Sequence, residues 1–222
     1  MDADISDILA SVSAPPIPKR ALDLQALTRA WINERSSPEL LPYPTELIER
    51  STQGVKSQIE VIEEMTGAMD PTSNFKLVIL QTELERVKFL LRSFLRARIA
   101  KIDKHPLHYH SVATSADLGD QPILSRLESQ YLVSHQALLS SHYNASFLSL
   151  FPTQLQRLDD ATGGDSMIDK PDEDTAVFCR VLRDGYVSRP PDDDIELKRG
   201  DVWVLRWTTI REKVRSGDVE LI

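Results

Sequence analysis

The sequence predicts a mainly α protein: an N-terminal four-helix-type α domain followed by a small C-terminal β-rich domain, α+β overall. Three observations predict this. Up to about residue 150, apolar residues recur at helical spacing in segments parted by proline breaks. Residues 152–174 lose that periodicity and hold Gly163-Gly164 and a run of acids. From Ala176 onward, short β-branched and aromatic runs alternate with turn signals. The division is a flexible tail with a docking peptide at 1–19, an α-helical domain at 20–151, a linker at 152–174 and a β-rich domain at 175–222.

In residues 1–13, Ile5, Ile8, Leu9 and Val12 fall on one helical face, with Asp2, Asp4 and Asp7 near its start, where the helix dipole favours acids. Ala14-Pro15-Pro16-Ile17-Pro18 must then be extended. A helix of about ten residues is marginal alone. The island therefore reads either as a docking peptide that folds on its target or as a helix packed on its own domain. Residues 21–35 form a helix with Leu24, Leu27 and Trp31 on one face, ended by Ser36-Ser37-Pro38. Pro42-Tyr43-Pro44 makes a second break. A helix from Thr45 to Met69 carries Ile48, Val55, Ile59, Ile62 and Met69 on one stripe, closed by Asp70-Pro71. The long helix 75–104 follows, then a polar loop at 105–121, then a helical pattern from Pro122 to Leu150. In the β-rich part, strands are expected at Ala176–Arg183, Ile195–Leu197 and Val202–Trp207, and a short helix from Thr208 to Arg215 with Ser216-Gly217 at its end. A last strand, Val219–Ile222, has no polar tail, so Leu221 and Ile222 are expected to be paired and buried. A domain of about 50 residues is near the lower limit of independent stability and should lean on something else.

The long helix is the most informative segment. Phe75 to Ile102 would span about 42 Å. Leu80, Leu84, Val87, Leu91, Phe94, Leu95 and Ile102 share one stripe, and Arg98 falls inside it. A charge there is expensive unless paired, so Arg98 needs an acidic or carbonyl partner on this chain or a neighbour, or else its stem snorkels out. Phe75, Val78 and Phe89 lie on the opposite side. A helix apolar on opposite sides is buried on both, which calls for a partner chain or the second domain. Trp31, Phe75, Val78, Phe89, Arg92, Arg96, Arg98, Leu221 and Ile222 are the subunit-interface candidates.

Composition narrows the function. The formal net charge of −8 opposes a dedicated nucleic-acid binder. Charge is nonetheless uneven: Arg86 to Lys104 holds seven basic residues against Asp103, and Asp159 to Asp174 seven acids against Lys170. The single cysteine, Cys179, excludes a disulfide framework within the chain and fits a reducing, intracellular compartment. No apolar run approaches the roughly 20 residues that cross a bilayer, and the acidic N-terminus does not read as a secretory signal. His105, His108 and His110 form the histidine cluster, but no further cysteine or paired carboxylate lies near in sequence. Cys179 reads as a small buried hydrophobe, Asp192-Asp193-Asp194 as a solvated turn, and Gly163-Gly164 is too short for a phosphate loop. No catalytic residue, cofactor site or metal site is expected.

Three blocks carry a resemblance. AWINERSSPELL (Ala30 to Leu41), ELERVKFLLRSFLRARIAKI (Glu83 to Ile102) and WTTIREKVRSGDVELI (Trp207 to Ile222) resemble the GINS family of eukaryotic DNA replication, in its Sld-five branch. Together they span the chain from residue 30 to its end and are specific jointly rather than singly. The resemblance implies a helical domain followed by a small β-rich domain, no catalytic residues and a nuclear location. Implied partners are three Psf-type subunits in a 1:1:1:1 heterotetramer, and the MCM ring with its DHH-fold partner in the CMG replicative helicase. DNA polymerase epsilon is a further implied contact. Asp4 to Val12 (DISDILASV) resembles the Asp-Asp-Ile-Leu-type peptide by which fungal members dock on a trimeric β-propeller replisome hub, with Ser6 in place of the first Asp. Ile5, Ile8, Leu9 and Val12 would enter an apolar groove and Asp7 would set orientation. The residues leave two rivals to the scaffold reading: a nucleic-acid-binding module using the basic face of helix 75–104, and an adaptor whose main task is peptide docking.

Overall fold

The computed structural model describes residues 18–67, 74–115, 122–156, 168–188 and 194–222. Helix α1 spans Lys19–Ser36. Pro38 pushes Ser37 into an extended conformation (φ −75°, ψ 142°), which ends the helix. Helix α2, Thr45–Gly67, buries Ile48 and Ile62. Helix α3, Asn74–Lys104, is 31 residues long and runs along both. Helix α4, Pro106–Ser115, follows after a bend at His105. The loop expected at 105–121 is thus helical over 106–115. Proline stops a helix interior but suits the first turn, where its missing N–H has no partner to lose. Helix α5, Arg126–Ser146, begins four residues later than the periodicity indicated, because Ser125 and Glu128 form a reciprocal capping box. Single 3₁₀ turns at Leu148–Leu150 and Thr153–Leu155 follow, beside an aromatic run of Tyr143, Phe147 and Phe151.

The helical domain has two cores threaded on α3. Leu27, Ile48 and Phe94 form one, with Trp31, Tyr43 and Leu91 packed against it. Leu40, Ile102, Tyr109, Leu124 and Leu132 form the other. The stripe read from the sequence supplies Phe94 to the first and Ile102 to the second.

The C-terminal unit holds strands β1 (Ala176–Val181), β2 (Gly185–Val187), β3 (Ile195–Leu197), β4 (Val202–Arg206) and β5 (Val219–Leu221), with helix α6 at Trp207–Ser216. β1 is central in an antiparallel sheet of order β4-β1-β5, and β2 and β3 pair as a hairpin. Cys179 stands opposite both Trp203 and Leu221. Alternation along β1 buries Val177, Cys179 and Val181, and α6 covers them with Trp207, Ile210 and Val214. Trp207 opens α6 rather than closing β4. The first amides of α6 donate to linker carbonyls, Trp207 to Thr175 (3.0 Å) and Thr208 to Glu173 (3.2 Å), so no threonine cap is required. At its other end Gly217 adopts φ +77°, and Asp218 N–H returns to Lys213 in a Schellman-type closure.

Candidate partner-binding surfaces and the charged node beneath them

Arg98 lies on α3 where the two helical cores meet, and it is 0% exposed. All five of its N–H donors are used. Nε and Nη2 grip the Glu128 carboxylate (2.7 and 3.2 Å), Nη1 reaches Glu34 Oε2 (2.9 Å) and the Leu41 carbonyl (2.8 Å), and Nη2 also reaches the Ile123 carbonyl (2.7 Å). The guanidinium stacks over Tyr43 and Phe94. Burial pulls its pKa down, but Glu128 and Glu34 more than offset this and hold it above its ordinary value. Lys101, one turn on, bonds Glu34 Oε1 (2.8 Å) and the Glu34 carbonyl; burial nevertheless leaves its pKa lowered. Tyr109 accepts from the Leu40 amide, and burial pushes its phenol far up.

Arg98 was a subunit-interface candidate. The structure corrects this: its partners are acids and carbonyls of this chain, and nothing of it reaches the surface. Leu221 is corrected likewise. It is 2% exposed in the β core, and its amide donates to Asn33 Oδ1 of α1 (2.8 Å). Sandwiched between its own sheet and its own helix, the Leu221 side chain has no face left for a partner.

The other candidates lie at or near the surface. Phe75 (77%), Val78 and Phe89 (58%) are exposed on α3, and Arg92 and Arg96 are exposed further along it. Trp31 of α1 is half-buried and meets Phe89 edge to face at 6.5 Å, so the structure brings these two together. Ile222 is 52% exposed. Trp31, Ile32 and Arg35 of α1 face Leu221 and Ile222 across a groove of about 690 Å³, bridged by Arg29 to Glu220 at 2.8 Å. The docking-peptide residues Ile5, Asp7, Ile8, Leu9 and Val12 lie outside the described residues.

Sequence reasoning missed several surface and core positions. Leu127 and Leu138 are exposed on α5, and Phe178, Val202 and Val204 on the outer face of the sheet. Glu34 and Glu128 were missed as partners of the buried Arg98, Lys101 as a second cation on Glu34, and Glu39 as the partner of Arg211 and Arg215; the Ser-x-x-Glu spacing at 125–128 was a legible signal for Glu128. Of the histidine cluster, His105 is buried with Nδ1 3.2 Å from the Asp169 carboxylate, and burial with Lys170 nearby lowers the His108 pKa. Among the described residues no three metal-binding side chains converge. Cys179 is fully buried, and burial raises its thiol pKa. No helix is long and apolar enough to cross a membrane, among the described residues.

Comparison with known proteins bears on both units. Residues 53–147 match the GINS complex protein helical bundle domain, and residues 171–222 the C-terminus of DNA replication complex GINS protein SLD5. Over nearly its full length the chain is similar to three fungal proteins of that name. It is 52% identical to the one from Chaetomium globosum (99% of this chain, 100% of that protein). It is 38% identical to the one from Schizosaccharomyces pombe (100% of both), and 37% to the one from Yarrowia lipolytica (99% and 85%). A helical bundle built around a buried arginine, followed by a small β unit, both matched by the same group of proteins, leads to one assignment: the chain belongs to the SLD5 family of the GINS complex of DNA replication.

Proposed function

We propose that this chain is a non-catalytic scaffold subunit of the GINS complex in DNA replication. The observation that carries the reading is the exposure of the large apolar side chains Phe75, Val78 and Phe89 on α3, a helix whose other side is already filled. Large apolar side chains left exposed on a helix face are the kind of surface that a protein contact covers. In the finer reading, three Psf-type subunits cover it in a 1:1:1:1 heterotetramer. That tetramer joins the MCM ring and its DHH-fold partner as the CMG helicase in the nucleus, with DNA polymerase epsilon as a further contact. The basic positions Arg92 and Arg96 remain the path for a nucleic acid in the rival reading; the net charge of −8 opposes it.

Co-expression with the three Psf-type subunits tests the scaffold role. The wild-type chain is expected to co-purify in equal stoichiometry by native mass spectrometry. Phe75→Asp with Phe89→Asp should abolish co-purification, while the circular dichroism spectrum is unchanged because both side chains are already exposed. A stable monomer indifferent to the partners would refute the role. The peptide at 4–12 is tested separately. Ile8→Ala with Leu9→Ala should weaken binding to the β-propeller hub at least about tenfold in a fluorescence titration, by removing two apolar anchors, and leave the tetramer intact. Equal affinity for wild-type and mutant peptides would remove the docking claim.

A further inference from the structure

Residues 37–41, between α1 and α2, serve both units at once. Their backbone is held from the helical side. Lys101 donates to the Glu39 carbonyl (2.9 Å) and Ser37 Oγ (2.8 Å), the Tyr109 hydroxyl accepts from Leu40 N–H (3.1 Å), and Arg98 donates to the Leu41 carbonyl (2.8 Å). Leu40 packs into the helical core. Glu39 and Leu41 turn to the other unit. Leu41, half-buried, packs against the β core. Glu39 Oε1 lies 3.2 Å from Arg215 Nη2, and its Oε2 lies 3.7 Å from Arg211 Nη1, both in α6. Glu173 meets Arg211 from the linker side at 3.6 Å, and the Trp207 indole lies alongside without an aligned hydrogen bond.

Apart from Leu41, each unit has its own buried core, and polar bridges such as Arg29 to Glu220 and Asn33 to Leu221 join them. An interface of that kind permits relative movement by default, so the pose needs directional contacts. We propose that Glu39 is the positioning residue that sets the pose of the β domain on the helical domain, through Arg211 and Arg215 and from a backbone pinned by Lys101, Tyr109 and Arg98. Burial raises the Glu39 pKa, and the two arginines offset only part of that cost. The ion pairs therefore add direction more than stability. The groove between Trp31 and Ile222 has one wall from each unit, so its shape follows from this pose. The inference rests on intramolecular geometry and stands or falls apart from the subunit reading.

The test is a spin-label distance measurement on the full chain, with labels at Glu60→Cys and Lys198→Cys and the buried Cys179 replaced by alanine. The wild type should give one narrow distribution. Glu39→Ala should broaden it about twofold or more while the melting temperature changes little, since the two cores are separate. Glu39→Arg with Arg215→Glu should narrow it again. Salt of about 1 M should broaden the wild-type distribution by screening the partly exposed arginines. A narrow, wild-type distribution in Glu39→Ala overturns the proposal, as does a lowered melting temperature with the distance unchanged. If Glu39→Ala does not fold, the salt titration of the wild type decides, and an unbroadened distribution overturns it.

Discussion

Arg98→Met is expected to destabilise the chain by about 3–5 kcal/mol, the cost of leaving buried carboxylates without their counter-charge. The guanidinium satisfies Glu34 (1% exposed), Glu128 (6%) and two backbone carbonyls, and methionine can satisfy none of them. At this chain length the melting temperature should fall by about 10 °C in a circular dichroism melt. Arg98→Lys should recover only part of the loss, because an ammonium has three donors where five are in use and cannot grip Glu128 with two parallel bonds. Adding Glu128→Gln to Arg98→Met should restore some stability by removing one unpaired charge. A melt within a couple of degrees of wild type for Arg98→Met would show that the node is not what holds the helices together.

Leu221→Asp should have a comparable effect confined to the other unit. The leucine fills the core beside Cys179 and Val181, and its strand is anchored to β1 on one side and to Asn33 on the other. Losing that packing and burying a carboxylate instead should cost more than about 3 kcal/mol. The β unit should then unfold while the helical domain keeps its signal, seen as hydrogen exchange made fast only beyond residue 170. The defect should ease at acidic pH. A buried aspartate is held above its unfolded pKa, so its protonated form is tolerated below that value and stability is lost as pH rises through the folded pKa. Ile222→Asp, at a half-exposed position, should leave exchange unchanged, and any loss of co-purification in that variant would report on the partner contact alone. Uniform exchange in Leu221→Asp would contradict the separate-core description.

Local pattern was enough for much of this fold. The change from helical to alternating periodicity near residue 175 separates helical from β-rich sequence, and the helical wheel alone puts Arg98 in the apolar stripe. The partners themselves were not legible. Glu34 and Glu128 lie 64 and 30 residues away along the chain, and only the packing of α1 and α5 on α3 brings them together. Helix α4 was hidden because Pro106 reads as a break in any local window, although it also fits a first turn. Trp207 was assigned to a strand because its β-propensity and neighbours favour one; linker carbonyls, supplied by tertiary structure, let the helix start there instead. The exposed residues Phe178, Val202 and Val204 alternate as any strand does, and periodicity cannot say which face of a sheet is left uncovered.

The bond from Leu221 N–H to Asn33 has a consequence for solubility. β5 is an outer strand of three residues, and such an edge, ending in Val-Glu-Leu-Ile, is a ready template for adding a strand from another molecule. The Asn33 carboxamide occupies an outward amide of that edge, and α1 stands in the way of any incoming chain. One helical asparagine thereby blocks strand addition at the β5 edge of the sheet.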